Sequence, residues 1–162
     1  MHCPRIYVDT SVIGGCCDAE FMPESRALID MVQRGNAVLL VSEVLMNELE
    51  RGAPPDVRKI LTKLPEQSLV PVEVNDEVRA LWQRYLDAHI VGKSAEIDAL
   101  HVAIASVWRA DVIASWNFRH IVHLDKIRQY NAVNLMQGYP PIEIRSPKEL
   151  APYEDSEDQE DV

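Results

Sequence analysis

Five short apolar runs, separated by longer amphipathic segments, constrain the fold of this chain more than any other feature. Runs this short, bounded by turn-forming residues, indicate strands covered on both faces, and the segments between them carry apolar residues at helical spacing. Strands that alternate with helices predict an α/β protein: a three-layer α/β/α domain with a mostly parallel central sheet. Pro71 favours an edge position for its strand. The predicted strands are residues 5–8, 37–41, 69–74, 111–115 and 142–144.

Capping residues predict where the helices begin. Ser42 and Asn75 are expected to cap helices over residues 43–51 and from 75 to about 91, and Ser94 is expected to cap the next helix. Residues 10–15 contain two glycines and are expected to form a loop. The last long helix is expected from about residue 121 to 136.

Length and charge divide the chain into two parts. The length of 162 residues suits one domain, predicted over residues 1–150. The net charge is −10, and six carboxylates lie in residues 151–162 without any Lys or Arg, a composition typical of a disordered acidic tail. Such a tail could solvate the protein, cover a binding site as a nucleic-acid mimic, or bind a basic partner. The missing basic footprint argues against tight nonspecific binding to duplex nucleic acid.

Cysteine usage and hydropathy favour a cytoplasmic protein. The chain has three cysteines, an odd number, and its N-terminus lacks the pattern of a secretory signal peptide, so reduced thiols are expected. It also lacks an uncharged apolar stretch of about 18 residues, so no membrane partner is expected.

Four polar residues follow predicted strands or lie on helices near them. Ligands of open α/β sheets bind at the carboxyl ends of the strands, and carboxylates gathered there repel one another unless a cation neutralises them. Oxygen ligands suit Mg²⁺ or Mn²⁺. The pattern therefore predicts a metal-dependent site for phosphate chemistry, with metal-binding and catalytic candidates Asp9, Glu48, Asp98 and Asn117.

Four segments in order resemble the PIN domain, the fold of the VapC-type toxin ribonucleases. The segment VDTS at 8–11 is similar to the first strand with its Asp, and VSEVLMNEL at 41–49 to the second strand and following helix. DALHVAIA at 98–105 resembles the helix that bears the third acid, and DVIASWNF at 111–118 the last motif. The resemblance covers roughly residues 5–145. The usual fourth acid falls on Asn117, whose amide oxygen can ligate a cation but adds no charge.

The resemblance implies a metal-dependent endoribonuclease that hydrolyses RNA phosphodiesters with Mg²⁺ or Mn²⁺. It implies the toxin of a type II toxin–antitoxin pair, with an antitoxin protein as a partner, single-stranded RNA as substrate and a homodimer as the assembly. Asn117 leaves the affinity for metal and the number of metal ions open.

Residues beside the four candidates could contact the substrate. Thr10 and Ser11 could contact a phosphate or orient Asp9, and ordinary turn chemistry is the alternative. Arg119 and His120 suit a phosphate contact, or else lie in a solvated loop.

Two other functions compete with this interpretation. A PIN-like domain weakened at Asn117 could bind RNA or a protein without cleaving, and such a scaffold need not bind Mn²⁺. A phosphotransferase or receiver domain is less favoured, because Asp9 has no acidic neighbour before Asp18 and Trp116 and Asn117 follow the late strand in place of Lys.

Overall fold

The computed structural model of the protein describes residues 3–150, which form a central sheet of five parallel strands. The strand order is β3-β2-β1-β4-β5, so β1 lies at the centre and β3, which contains Pro71, lies at an edge as expected. The strands are β1 (Arg5–Val8), β2 (Val38–Ser42), β3 (Leu69–Val72), β4 (Val112–Ala114) and β5 (Glu143–Arg145).

Residues 3–150 contain eight α-helices, of which the first seven lie between strands. Ser42 and Asn75 cap their helices as predicted, accepting hydrogen bonds from Leu45 N and Val78 N. The helices are α1 (Thr10–Gly15), α2 (Met22–Gln33), α3 (Glu43–Gly52), α4 (Pro55–Thr62), α5 (Asp76–Asp87), α6 (Glu96–Val107), α7 (Leu124–Met136) and α8 (Pro147–Leu150).

The helices form one layer on each face of the sheet. Alternate strand residues point to opposite faces, so Tyr7 joins the core with α5, α6 and α7, whereas Ile6 and Val8 join the core with α1 to α4. This arrangement is the predicted three-layer α/β/α domain.

Several predicted boundaries were wrong. Residues 10–15 form a helical turn and not a loop, because Val12 and Ile13 are buried there in the core. The helix after Asn75 ends at Asp87, and His89 adopts a positive φ of 55° that breaks the helix before residue 91. The last long helix begins at Leu124, three residues later than predicted.

Ser94 does not cap the next helix. It lies in a short 3₁₀ turn, Lys93–Ala95, and Ala95 occupies the N-cap position of α6 without a side-chain hydrogen bond. No helix in the described range 3–150 is long and apolar enough to cross a membrane. The predicted acidic tail lies outside the described residues.

All five strands run in the same direction, so their carboxyl ends share one edge of the sheet. Asp9 and Ser115 directly follow β1 and β4 at this carboxyl edge. Asp111 lies at the opposite edge, where its Oδ2 accepts a hydrogen bond from Arg5 N at 2.7 Å, as expected for a residue that starts a strand.

Candidate active site

Asp9 is a buried carboxylate at the N-cap position of α1, with an exposed fraction of only 4%. Ser11 Oγ donates to its Oδ1 and Ser115 Oγ donates to its Oδ2, each at 2.6 Å. Each serine accepts a backbone hydrogen bond in turn, Ser11 from Trp116 N and Ser115 from Asn117 N, both at 2.9 Å. The carboxylate is therefore fixed in orientation from both sides.

Burial raises the pKa of the Asp9 carboxyl above its ordinary value, and the negative charge of nearby Asp98 acts in the same direction. The charge of His101 and the hydrogen bonds from Ser11 and Ser115 oppose this rise without cancelling it. The folded protein thus holds Asp9 where ionisation is unfavourable unless a positive charge is added.

Glu48 lies on α3 with its side chain 39% exposed. Its Oε1 accepts a hydrogen bond from Thr10 Oγ1 and also contacts His101 Nε2, each at 2.7 Å. Partial burial disfavours its ionised form, but the hydrogen bond and charge of His101, together with Thr10, hold the pKa of Glu48 below its usual value. Glu48 is therefore the readily ionised carboxylate of this edge, in contrast to Asp9.

His101 connects Glu48 to the interior. The ring is 2% exposed, and its Nδ1 lies 2.5 Å from the hydroxyl of Tyr7, which lies 2.8 Å from Ser42 Oγ. Burial raises the pKa of the Tyr7 phenol far above its usual range, so this hydroxyl keeps its hydrogen.

Asn117 uses its amide oxygen to shape a turn. Oδ1 accepts hydrogen bonds from the backbone N–H groups of His120 at 2.9 Å and Arg119 at 3.2 Å. The backbone oxygen of His120 accepts a further bond from Tyr130 on α7 at 2.9 Å. This turn delays the start of α7, and it leaves the Arg119 side chain exposed and His120 half-buried.

Among the predicted substrate contacts, the hydroxyls of Thr10 and Ser11 are occupied by Glu48 and Asp9. These two residues orient the carboxylates, and their predicted contact with a phosphate stays a prediction. The same holds for Arg119 and His120.

Sequence reasoning missed several contributors to the site, among them Ser115, Tyr7 and Arg51. Ser115 and Tyr7 are ordinary strand residues in sequence, and their roles depend on partners 106 and 94 residues away. Arg51 lies on α3 near Glu48, and the two residues line both a cavity of about 490 Å³ beside α1 and one of about 260 Å³ beside α6. Arg51 could have been found from its spacing, because residues three positions apart on a helix share a face and Glu48 was already a candidate.

The donor set fits a hard cation held partly by other ligands. Within residues 3–150, no three His, Cys, Asp or Glu side chains lie close enough together to hold a metal ion by themselves. Mg²⁺ is commonly held by one or two carboxylates, with waters and substrate phosphates completing its shell. Asp9 and Asp98 suit that mode, since both carry oxygen ligands and the charge of Asp98 contributes to the raised pKa of Asp9.

No known protein-family profile matches the chain, and no curated protein matches it. Among the solved structures that are similar to it, two match along nearly all of their own length. One is VapBC2 from Rickettsia felis bound to a DNA fragment from their promoter, with a TM-score of 0.53, 11% identity and coverage of 88% of this chain and 98% of that chain. The other is FitAcB from Neisseria gonorrhoeae, with a TM-score of 0.52, 16% identity and the same coverage of 88% and 98%.

The chain shares the fold of these two structures, a PIN-like α/β/α fold. The α/β/α architecture predicted from the sequence is thereby confirmed. In this PIN-like domain the carboxyl edge of the sheet carries Asp9, and the helices α3 and α6 add Glu48 and Asp98.

Proposed function

We propose that this PIN-like protein is a metal-dependent endoribonuclease that hydrolyses RNA phosphodiester bonds. The observation that carries the proposal is the buried carboxylate Asp9, fixed by two serines beside the like charge of Asp98 at the carboxyl edge. A buried carboxylate with a raised pKa at this edge of the sheet is a candidate for a functional residue.

Asp9 and Asp98 would hold Mg²⁺ or Mn²⁺, with Glu48 and Asn117 as the further candidate ligands. A cation held there would supply a water of lowered pKa as nucleophile and would polarise the phosphoryl oxygens. Ser11 and Ser115 keep Asp9 oriented, and Thr10 and His101 keep Glu48 oriented.

The substrate contacts follow from the charges around Glu48. Arg51 lines the cavities on both sides of it, and a guanidinium recognises phosphate by paired hydrogen bonds. Arg119 and His120 would extend the phosphate contacts beyond Asn117, and the hydroxyls of Thr10 and Ser11 would add to them once substrate is bound.

Single-stranded RNA is the proposed substrate, because its unstacked bases and backbone are accessible without the basic surface that duplex binding requires. The likeness to VapBC2 and FitAcB supports a toxin of a toxin–antitoxin pair that acts in the cytoplasm. An antitoxin protein and a second copy of the chain are the proposed partners.

Cleavage of a mixed-sequence RNA by the full chain, in Mn²⁺, Mg²⁺ or EDTA, tests the proposal. We expect cutting that requires the cation and falls by about 10³-fold or more in both Asp9→Asn and Asp98→Asn, because each removes charge that a cation needs. Asn36→Asp, an exposed change far from the site in sequence, is the control that should cut normally. Cutting that persists in EDTA or in the two site variants would contradict the proposal.

A binding module is the second candidate function, favoured by one observation. The side-chain oxygen of Asn117 is already engaged by two backbone N–H groups, and it adds no charge to the site. Wild-type protein that binds RNA without cutting it, and without taking up Mn²⁺, would favour this candidate.

A further inference from the structure

We infer that His101 is a positioning residue whose Nε2–H fixes the carboxylate of Glu48, and that Tyr7 and Ser42 fix the imidazole ring. The purpose of this arrangement rests on the proposed function, whereas the arrangement itself can be tested without it. No part of the sequence pattern points to Tyr7 or Ser42 as members of a site.

The direction of the contact with Glu48 follows from the carboxylate. Glu48 Oε1 already accepts from Thr10 Oγ1, and an ionised carboxylate can only accept. His101 Nε2 therefore carries a hydrogen and donates it to Glu48 Oε1 at 2.7 Å. On the other side of the ring, the Tyr7 hydroxyl lies 2.5 Å from His101 Nδ1 and 2.8 Å from Ser42 Oγ, which accepts from Leu45 N at 3.1 Å.

Burial makes this direction hard to reverse. Tyr7 and Ser42 have an exposed fraction of 0% and His101 of 2%, so water cannot replace a lost partner easily. A flipped or reversed ring would leave a buried polar atom unpaired, and no buried side-chain N or O atom in residues 3–150 lacks a hydrogen bond. Burial and the surrounding partners therefore favour the ring orientation that presents Nε2–H to Glu48.

The chain of contacts also couples the acidic residues to one another. Ser42 caps α3, the helix that carries Glu48, and His101 lies three residues after Asp98 on α6. Tyr7 lies two residues before Asp9 at the end of β1. The contacts that hold His101 therefore also fix the positions of α3 and α6 relative to β1, next to the three carboxylates.

A histidine that only packed in the core would be equally buried but would not affect the binding of metal. Two pairs of variants separate this packing role from the positioning role. His101→Gln keeps an N–H donor for Glu48, whereas His101→Leu removes it. Tyr7→Phe removes the hydroxyl that orients the ring. Tyr85→Phe is its matched control, because Tyr85 is equally buried and its hydroxyl contacts Ser106 and Asn134, away from Glu48.

The experiment measures the hydrogen positions on His101 by ¹⁵N NMR and the affinity for Mn²⁺ by calorimetry, in the full-length chain. We expect the hydrogen on Nε2 in the wild type. We expect His101→Leu and Tyr7→Phe to lower Mn²⁺ affinity by about 10–100-fold, as for other residues that orient metal ligands. His101→Gln should retain most of the affinity, and Tyr85→Phe should bind Mn²⁺ like the wild type even though both Tyr variants lose similar thermal stability.

A wild-type ring with its hydrogen only on Nδ1 would overturn the inference, as would equal Mn²⁺ affinity in Tyr7→Phe and Tyr85→Phe. Wild-type protein that takes up no Mn²⁺ would instead overturn the proposed function. In that case the spectrum still decides on His101, since a wild-type ring with a hydrogen on Nε2 supports the positioning role and a ring with its hydrogen only on Nδ1 contradicts it.

Discussion

The protein contains two buried polar networks that are built alike and behave differently. The core network, Tyr85, Ser106 and Asn134, lies between α5, α6 and α7, and Asn134 Nδ2 donates to Ser106 Oγ at 2.9 Å. The edge network lies at the carboxyl edge and consists of two neighbouring hydrogen-bonded groups. One group is Tyr7, Ser42, His101, Glu48 and Thr10, and the other is Asp9, Ser11 and Ser115. Both networks contain a buried tyrosine with two side-chain partners.

The difference between them is charge. The core network is neutral and fully satisfied, so it fixes the packing of three helices and has no reason to respond to a ligand. The edge network buries Asp9 beside Asp98, and the pKa of Asp9 is raised in consequence, first by burial and then by that neighbouring charge. Charge that is unfavourable in the free protein is expected where a ligand of opposite charge binds.

The largest effect is expected from giving the core network a charge. Asn134→Asp places an unpaired carboxylate at a position with 0% exposure, and we expect it to destabilise the fold by about 3–5 kcal/mol at neutral pH. Urea unfolding measures the loss, which should shrink as acid protonates the new carboxyl. Asn36→Asp, on the surface, should change stability by less than about 0.5 kcal/mol. Wild-type stability in Asn134→Asp would show that the two networks do not differ as described.

A smaller effect is expected from disturbing the edge network without touching its polar atoms. A Cβ at Gly15 would lie 2.4 Å from Ser25 Oγ and 3.0 Å from Trp116 Nε1, and Trp116 N supports Ser11. Gly15→Ala should therefore cost about 1–3 kcal/mol in urea unfolding.

Gly14→Ala is the matched control for that change. Its Cβ would meet nothing within 4 Å, and Gly14 lies in the same helix, so this variant should be neutral or up to about 1 kcal/mol more stable. Equal stabilities for the two variants would exclude the close packing of α1 against Trp116.

The smallest effect concerns pH. Because burial raises the folded pKa of Asp9 above the unfolded value of about 3.9, its contribution to stability is fully present below that pH and is lost as the pH rises through the folded pKa. The Asp9→Asn variant has no carboxyl that ionises at this position, so it does not lose this stability as the pH rises. In EDTA, the stability of Asp9→Asn relative to wild type should therefore increase from about pH 4 upward, by at most ~1.4 kcal/mol per pH unit. Urea unfolding across this range checks it, and a difference that does not change with pH would contradict it.

Much of the fold could be predicted because its signals are local. Short apolar runs identify strands covered on both faces, and Ser42 and Asn75 cap helices with their own side chains. The errors arose where tertiary contacts override local preference. Burial of Val12 and Ile13 makes residues 10–15 helical despite their glycines, and the turn around Asn117 displaces the start of α7.

The candidate site was predictable only in part. Asp9 could be found because it ends a strand, but Ser115, which holds it, lies 106 residues away. The contact between His101 and Glu48 joins residues 53 apart on different helices. No local pattern encodes such pairs, so the sequence points to the acids and to the adjacent Ser11 but leaves out the orienting groups that are distant in sequence.

Thermal unfolding of the full chain in Mn²⁺ and in EDTA tests the central claim, that the acidic edge takes up a divalent cation, most directly. The account predicts a higher unfolding temperature in Mn²⁺, equivalent to about 2.7 kcal/mol when the cation is at 100 times its dissociation constant. The gain should be much smaller in Asp98→Asn. An unfolding temperature of the wild type that is the same in Mn²⁺ and in EDTA would contradict the account.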